Sequence, residues 1–299
     1  MNEDLRISSG KWTGYEPLYL AREIGAYKRN ALEVAVERDL NEEQTVERLQ
    51  MGELDGAALT LDMLFILKQT NIPLKAVLIL DYSLGGDVII GRQGINELSD
   101  LRGKKIGIEK LYANQFFLAR ALAERNIRTS DVEIVEIKAE EHSKALKKGT
   151  VDAVAVYNPQ GVKLEQDGYK ELFSSKDLPS SIVDVLTVTE RAFNEKRNEI
   201  VKLVQSWFDA LRYVDLHREK AMEIMAESEE ASIYEFKLAY DRIHIPDLEE
   251  NLKLFDLESD RNIFKMSDLT LDFMRKRKII KAEINTKAIF DPSVLEEVE

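Results

Sequence analysis

The chain has 299 residues, 42 Lys and Arg against 55 Asp and Glu, a net charge of −13 and no cysteine. That length suggests two domains, and the acidic balance argues against nucleic acid or an anionic membrane as partner. The missing cysteines exclude disulfides, thiolate metal sites and cysteine nucleophiles. No stretch reaches the roughly 18 apolar residues of a membrane span, and MNEDLRISSG at the N-terminus has neither the basic region nor the apolar core of a signal segment.

In chain order, LRISS (5–9) reads as a strand and GKWTGYEP (10–17) as a polar loop. PLYLAREIGAY (17–27) reads as a helix with Pro17 in its first turn. LEVAVE (32–37) alternates as a strand, and NEEQTVERLQMG (41–52) predicts a helix capped by Asn41 and stopped at Gly52. DGAALT (55–60) is a buried strand and LDMLFILKQ (61–69) a helix.

The same order returns from residue 101. A strand at 104–108 leads through EKLYAN into the helix QFFLARALAERN, striped by Phe116, Ala119, Leu122 and Ala123. VEIVEI is a strand, EEHSKALKKG a helix ending at Gly149, VDAVAV a buried strand, and NPQGVKLEQDG opens another helix. Residues 51–62, MGELDGAALTLD, and 148–159, KGTVDAVAVYNP, therefore carry one phrase twice: a glycine stop, an aspartate, then an apolar strand. Two similar α/β lobes with parallel strands follow, best explained by internal duplication.

VLILDYSLGGDVIIGR (77–92) and SSIVDVLTVTERAF (180–193) are β-rich and read as crossings between the lobes. The lobes are expected at 1–86, 87–186 and, returning to the first, 187–299. The remainder is helical, led by EIVKLVQSWFDALRYVDLH with Ile200, Leu203, Val204, Trp207, Phe208, Leu211 and Val214 in one stripe. REKAMEIMAES, ASIYEFKLAYDRI and FKMSDLTLDFMRKRKII follow as helices, and the tail from 285 reads as irregular.

Ligands of open parallel sheets bind beyond the carboxyl ends of the strands. Those ends are Trp12–Glu16, Thr60–Asp62 and Asp81–Ser83 in the first lobe, and Lys110–Gln115, Tyr157–Asn158 and Asp184 in the second half of the pattern. Helix N-termini there suit an anion, whereas Glu16, Asp62, Asp81 and Asp184 suit a cationic or zwitterionic group. Asp81 and Asp184 have two readings, ligand contact or hydrogen bonding at the crossover. Asn158 is either a contact or a helix cap. Gly52, Gly149, Asp55, Asp152 and Trp207 are expected to be structural, and Trp12, in a polar loop, a ligand contact. His142, His217 and His244 show no metal-ligand spacing, and no phosphate-binding or nucleophile motif stands in its required setting.

WTGYEPLYLAREIGAY, GELDGAALTLD, LDYSLGGDVII, ELSDLRGKKIGIEK, GTVDAVAVYNP and LFSSKDLPSSIVDVLTV together resemble the periplasmic substrate-binding proteins of ABC importers. The resemblance is to the nitrate, sulfonate and taurine type, with related thiamine-precursor binders, and runs from about residue 5 to about 255. It implies a two-lobed α/β fold of the type II periplasmic-binding class with the ligand caught in the inter-lobe cleft. It further implies a non-enzymatic monomer that delivers a small polar organic solute to a membrane permease and ATPase, without cofactor or metal. Its compartment would be periplasmic or extracytoplasmic, with a signal segment absent from this sequence.

Carried over by position, the ligand residues are Trp12, Thr13, Tyr15, Thr60, Asp81, Ser83, Tyr112, Asn114, Gln115, Tyr157, Asn158 and Asp184. Tyr157-Asn158-Pro159 departs from the Trp-Glu-Pro of many relatives, so the acid there has become an amide. These loops hold no arginine for a sulfonate. Two other readings stay open: an enzyme of the menaquinone or thiamine pathways on the same fold, and a ligand-sensing domain of a signalling protein.

Overall fold

The computed structural model describes residues 4–39, 41–70, 72–109, 112–178 and 181–298, apart from the side chains of Tyr112 and Ala139. The strands and helices run β1 (Leu5–Ser9), α1 (Glu16–Glu23), α2 (Ala26–Arg29), β2 (Val34–Arg38), α3 (Glu42–Gln50), β3 (Gly56–Thr60), α4 (Leu61–Gln69) and β4 (Leu74–Ser83). Then come β5 (Asp87–Gly91), β6 (Lys105–Ile108), α5 (Tyr112–Glu124), β7 (Glu133–Glu136), α6 (His142–Lys148), β8 (Ala153–Tyr157), α7 (Gln160–Gln166) and β9 (Lys170–Ser174). The chain closes with β10 (Val183–Thr189), α8 (Glu190–Glu195), α9 (Arg197–Leu216), α10 (Arg218–Glu229), α11 (Ile233–Tyr240), β11 (Ile243–His244), α12 (Leu248–Phe255) and α13 (Ile263–Lys276).

Two compact units result. The first holds residues 1–81, 183–233 and 245–299, the second 82–182 and 234–244. The crossings fall inside β4 and at the start of β10, a few residues before the expected 86/87 and 186/187. Residues 234–244, expected in the first lobe, lie in the second unit. There β11 pairs with Tyr82 and Ser83, and Arg242 forks onto Glu165 at 2.7 Å through both terminal nitrogens.

Each unit repeats one sheet plan. In the first, the order reads β2-β1-β3-β10-β4, with β11 added at the edge. Strand β1 is parallel to β2 and β3, and β10 runs antiparallel to β3. In the second the order is β7-β6-β8-β5-β9, with β6 parallel to β7 and β8, and β5 antiparallel to β8. The twice-written phrase holds the same place in both. The Asp55 N–H donates to the Arg6 carbonyl at 2.8 Å while Asp55 Oδ2 accepts from the Arg6 N–H at 3.0 Å. Asp152 repeats both bonds on Lys105 at 2.8 and 3.0 Å. Each aspartate thus pins the entry of its unit's third strand to the first. Gly149 ends α6 with φ +68° and Gly52 follows α3 with φ +71°, a left-handed conformation that costs other residues about 1–2 kcal/mol.

Asn41 caps α3 as expected, its Oδ1 accepting from the Gln44 N–H at 2.8 Å. The helix expected over 17–27 is interrupted: Gly25, at φ +71°, separates α1 from α2. Four elements, β9, α8, β11 and α12, and the short 3₁₀ turns of the tail were not foreseen from the sequence; α8 follows the strand in a stretch read as β-rich, and β11 begins at Ile243, read as the end of a helix. In the first unit α9 packs on α1, α2 and α10. Its stripe buries Ile200, Leu203, Val204 and Trp207 completely, worth roughly 1.5–3 kcal/mol for each aliphatic side chain. Leu211 on the same stripe is half-buried. The second unit has its own core of Val88, Ile90, Leu146, Val154, Val156 and Leu164. No helix among the described residues is long and apolar enough to cross a membrane.

Candidate ligand-binding site

In the first unit, β1 runs out at Ser9 and the chain turns through a 3₁₀ turn, Thr13–Tyr15, into α1. Trp12, ahead of that turn, is 8 % exposed, and its Nε1–H donates to both oxygens of Asp81 at 3.1 Å. Gly14 makes this approach possible, because a Cβ there would lie 2.0 Å from Asp81 Oδ2 and 2.6 Å from Trp12 Nε1. Tyr15 donates its hydroxyl to Asp184. Asp184 opens β10 directly opposite Thr60, the last residue of β3. Trp12, Tyr15, Thr60, Asp81 and Asp184 are thereby gathered at one edge of the first sheet, the edge where β1 and β3 end.

Thr13 belongs to a different group. Its hydroxyl donates to both oxygens of Glu229, at 3.0 and 3.2 Å. Glu229 ends α10 and is fully buried, as is Glu16 at the start of α1. Arg38, the last residue of β2, donates to Glu16 at 2.7 Å and lies 4.4 Å from the centre of the Tyr19 ring. Tyr19 in turn shares a 2.7 Å hydrogen bond with Ser9. A buried polar layer therefore backs the Trp12–Tyr15 turn.

The electrostatics follow from burial. Desolvation, then the Asp184 and Asp81 carboxylates, push the Tyr15 phenol well above its ordinary value, so it remains a donor. Burial pushes Glu229 up to about 8, with the neighbouring Glu16 carboxylate adding to it. Glu16 is also raised by burial, against the opposing pull of Arg38. Asp62, buried in the first turn of α4, is pushed up to about 6 by desolvation despite the backbone N–H groups of the helix start.

In the second unit, Ser83 and Asn158 meet at one turn. The Ser83 and Ser175 hydroxyls are 2.7 Å apart, and Ser175 accepts from the Gly85 N–H at 2.7 Å. The Asn158 N–H donates to the Gly86 carbonyl at 2.8 Å and its Nδ2 to the Gly85 carbonyl at 3.2 Å. Its Oδ1 accepts from the Val162 N–H at 3.1 Å. Asn158 is 1 % exposed, and its side chain serves both the first turn of α7 and the Gly85–Gly86 turn. Tyr157, half-buried, faces Asp87 across the β5–β8 pair. In α5, Asn114 is buried and its Nδ2 has no hydrogen-bond partner among the described residues, while Gln115 is exposed. The side chain of Tyr112 lies outside the described residues.

Arg38, Glu229 and Ser175 were not singled out from the sequence. Ser175 sits in the capping sequence SSKD, which marks a turn and not a contact. Glu229 stands in the acidic run AESEEA, whose pattern does not separate a buried acid from solvated ones.

The sheet plan repeated in the two units is the fold of the periplasmic binding proteins on which the chain superposes. Residues 2–228 match the NMT1-like family, and the chain belongs to it. The taurine-binding periplasmic protein of Escherichia coli (strain K12) is 26% identical over 160 residues, covering 52% of this chain and 49% of that protein. The chain thus matches about half the length of that relative. The periplasmic aliphatic sulphonate binding protein SsuA of Escherichia coli superposes with a TM-score of 0.79 at 16% identity, over 97% of this chain and 92% of the other. The desulfurization enzyme DSZB does so with a TM-score of 0.74 at 15% identity, over 98% and 97%.

Proposed function

We propose that this chain is the solute-binding component of an ABC-type importer, extracytoplasmic, capturing a small polar organic solute and handing it to a permease and its ATPase. The observation that carries the reading is the gathering of Trp12, Tyr15, Thr60, Asp81 and Asp184 at the carboxyl edge of a sheet, the place where such sheets take ligands. Family membership supports it. An indole and a phenol supply apolar faces with polar tips. Two carboxylates favour a ligand with a positive end, so a zwitterion such as taurine or an amino-pyrimidine suits the edge better than nitrate, and a sulfonate suits it when it carries an amine. Asn114 offers a buried amide donor in the second unit.

Thermal unfolding against taurine, alkanesulfonates, nitrate and amino-pyrimidines tests this. A solute at 100 times its Kd adds about 2.7 kcal/mol to native stability and raises Tm. The zwitterionic or amino-pyrimidine probes are expected to shift Tm, and Asp184→Asn to weaken them at least about tenfold, the loss of roughly 1.4 kcal/mol. If no probe shifts Tm and denatured protein releases no co-purified solute, the reading fails. The likeness to DSZB favours a second reading, an enzyme on this fold. With no cysteine in the chain its nucleophile would be a hydroxyl or a carboxylate. Mass spectrometry of a bound probe separates the two, since capture returns it unchanged.

A further inference from the structure

The three acids at the edge of the first sheet are held differently. Asp81 accepts from the Trp12 indole at 3.1 Å through both oxygens, and Asp184 accepts from the Tyr15 phenol. Asp62 stands two residues past Thr60, where β3 ends and α4 begins, and Thr60 lies directly opposite Asp184. The backbone N–H groups of Asp62 and Met63 and the Thr60 hydroxyl favour its carboxylate, yet no charged neighbour among the described residues offsets its burial. Asp62 Oδ2 and Thr60 Oγ1 each lack a hydrogen-bond partner among those residues. Asp62 is 3 % exposed, whereas Thr60 is half-buried and gives the junction its contact with solvent. The sequence neighbours Leu61, Met63, Leu64 and Phe65 are buried and apolar, so the helix start itself gains nothing from a charge there. A buried carboxylate with one oxygen unmet is costly to the protein as it stands.

We propose that Asp62 is the specificity-determining acid of the site: it selects a solute bearing a protonated amine, with Asp62 Oδ2 and Thr60 Oγ1 each accepting one ammonium N–H. An ammonium brings three donors and a full positive charge, whereas a hydroxyl in its place brings one donor and no charge. The dipole of α4 opposes a cation with about half a unit charge, and the carboxylate answers with a whole one, so the sum favours the amine. Asp81 and Asp184 orient the two aromatic side chains, and Asp62 reads the charge of what lies between. The same residue is then unfavourable in the empty protein and favourable in the loaded one, a cost of the kind that functional sites carry. The inference deepens the solute-binding reading of this edge and rests on it.

The test is isothermal titration calorimetry of the full chain at neutral pH with two probes that differ in one group, taurine and isethionate, the second carrying a hydroxyl where the first carries its amine. The wild type is expected to bind taurine the more tightly. Asp62→Asn is expected to weaken taurine at least about tenfold, the loss of one charge-assisted hydrogen bond, and to leave isethionate within about twofold, so that the preference for the amine disappears. Asp62→Ser, which keeps an oxygen at the helix start without the charge, is expected to do the same and carries the comparison if Asp62→Asn does not fold. Taurine affinity that is unchanged in these variants, or that falls in step with isethionate, overturns the proposal. A wild type that binds isethionate or nitrate and not taurine also overturns it and leaves solute capture standing. A wild type that binds none of these probes and releases no solute on denaturation overturns both.

Discussion

Asp62 shows how burial decides a residue's chemistry. An acid in the first turn of a helix ordinarily gains from the dipole, by about 0.3–1 kcal/mol. Here desolvation outweighs that gain and lifts the carboxyl from 3.8 to about 6. Because the folded value is the higher one, the native state holds the proton more tightly. Stability is full below the unfolded value and is lost as pH rises through about 6. Asp62→Asn is therefore expected to stabilise the protein at pH 7 by up to about 3 kcal/mol and to leave it unchanged at pH 3.5. Urea unfolding at both values checks this, and equal gains at both would show that the charge is not the cause. Trp12 makes a related point about legibility. Its polar neighbours in sequence place it in a loop, which is where it lies, yet it is 8 % exposed because the carboxylate that buries its N–H comes from Asp81, on β4. No local pattern reports such a partner.

At the scale of elements, most of the fold could be read from the chain, since α9, α3, β3 and β8 carry strong periods or clear stops. What escaped is informative. Strand β9 reads KELFS, polar for half its length, and is recruited by pairing with β5. The break between α1 and α2 rests on one glycine inside an unbroken helical pattern. The double phrase was legible because both copies do one physical job. Asp55 and Asp152 each pin a third strand to a first, and each meets a cation, Lys196 at 2.8 Å and Arg92 at 2.6 Å. Replacing either by Ala is expected to cost about 1–3 kcal/mol through a lost acceptor. Asp55→Ala is expected to cost more, because its side chain is 5 % exposed against 15 % for Asp152. Urea midpoints that do not move in either variant would remove the pin from the account.

For the molecule as a whole, strand order and chain order disagree in one place. Strand β10 lies between β3 and β4 in the first sheet, yet it enters the chain only after all but a short piece of the second unit has gone by. When residue 81 has been made, the first sheet has its flanking strands and no middle. The second unit has β5 through β9 in one continuous stretch, and contacts near in sequence form faster than distant ones. Pulse-labelled hydrogen exchange during refolding is expected to protect the amides of β6 and β8 before those of β3, and simultaneous protection would count against it. On a ribosome the same threading gives the N-terminal third a waiting time. Its exposed strands stay unsealed until translation reaches β10, which makes that interval the natural point of vulnerability to aggregation and of engagement by a chaperone.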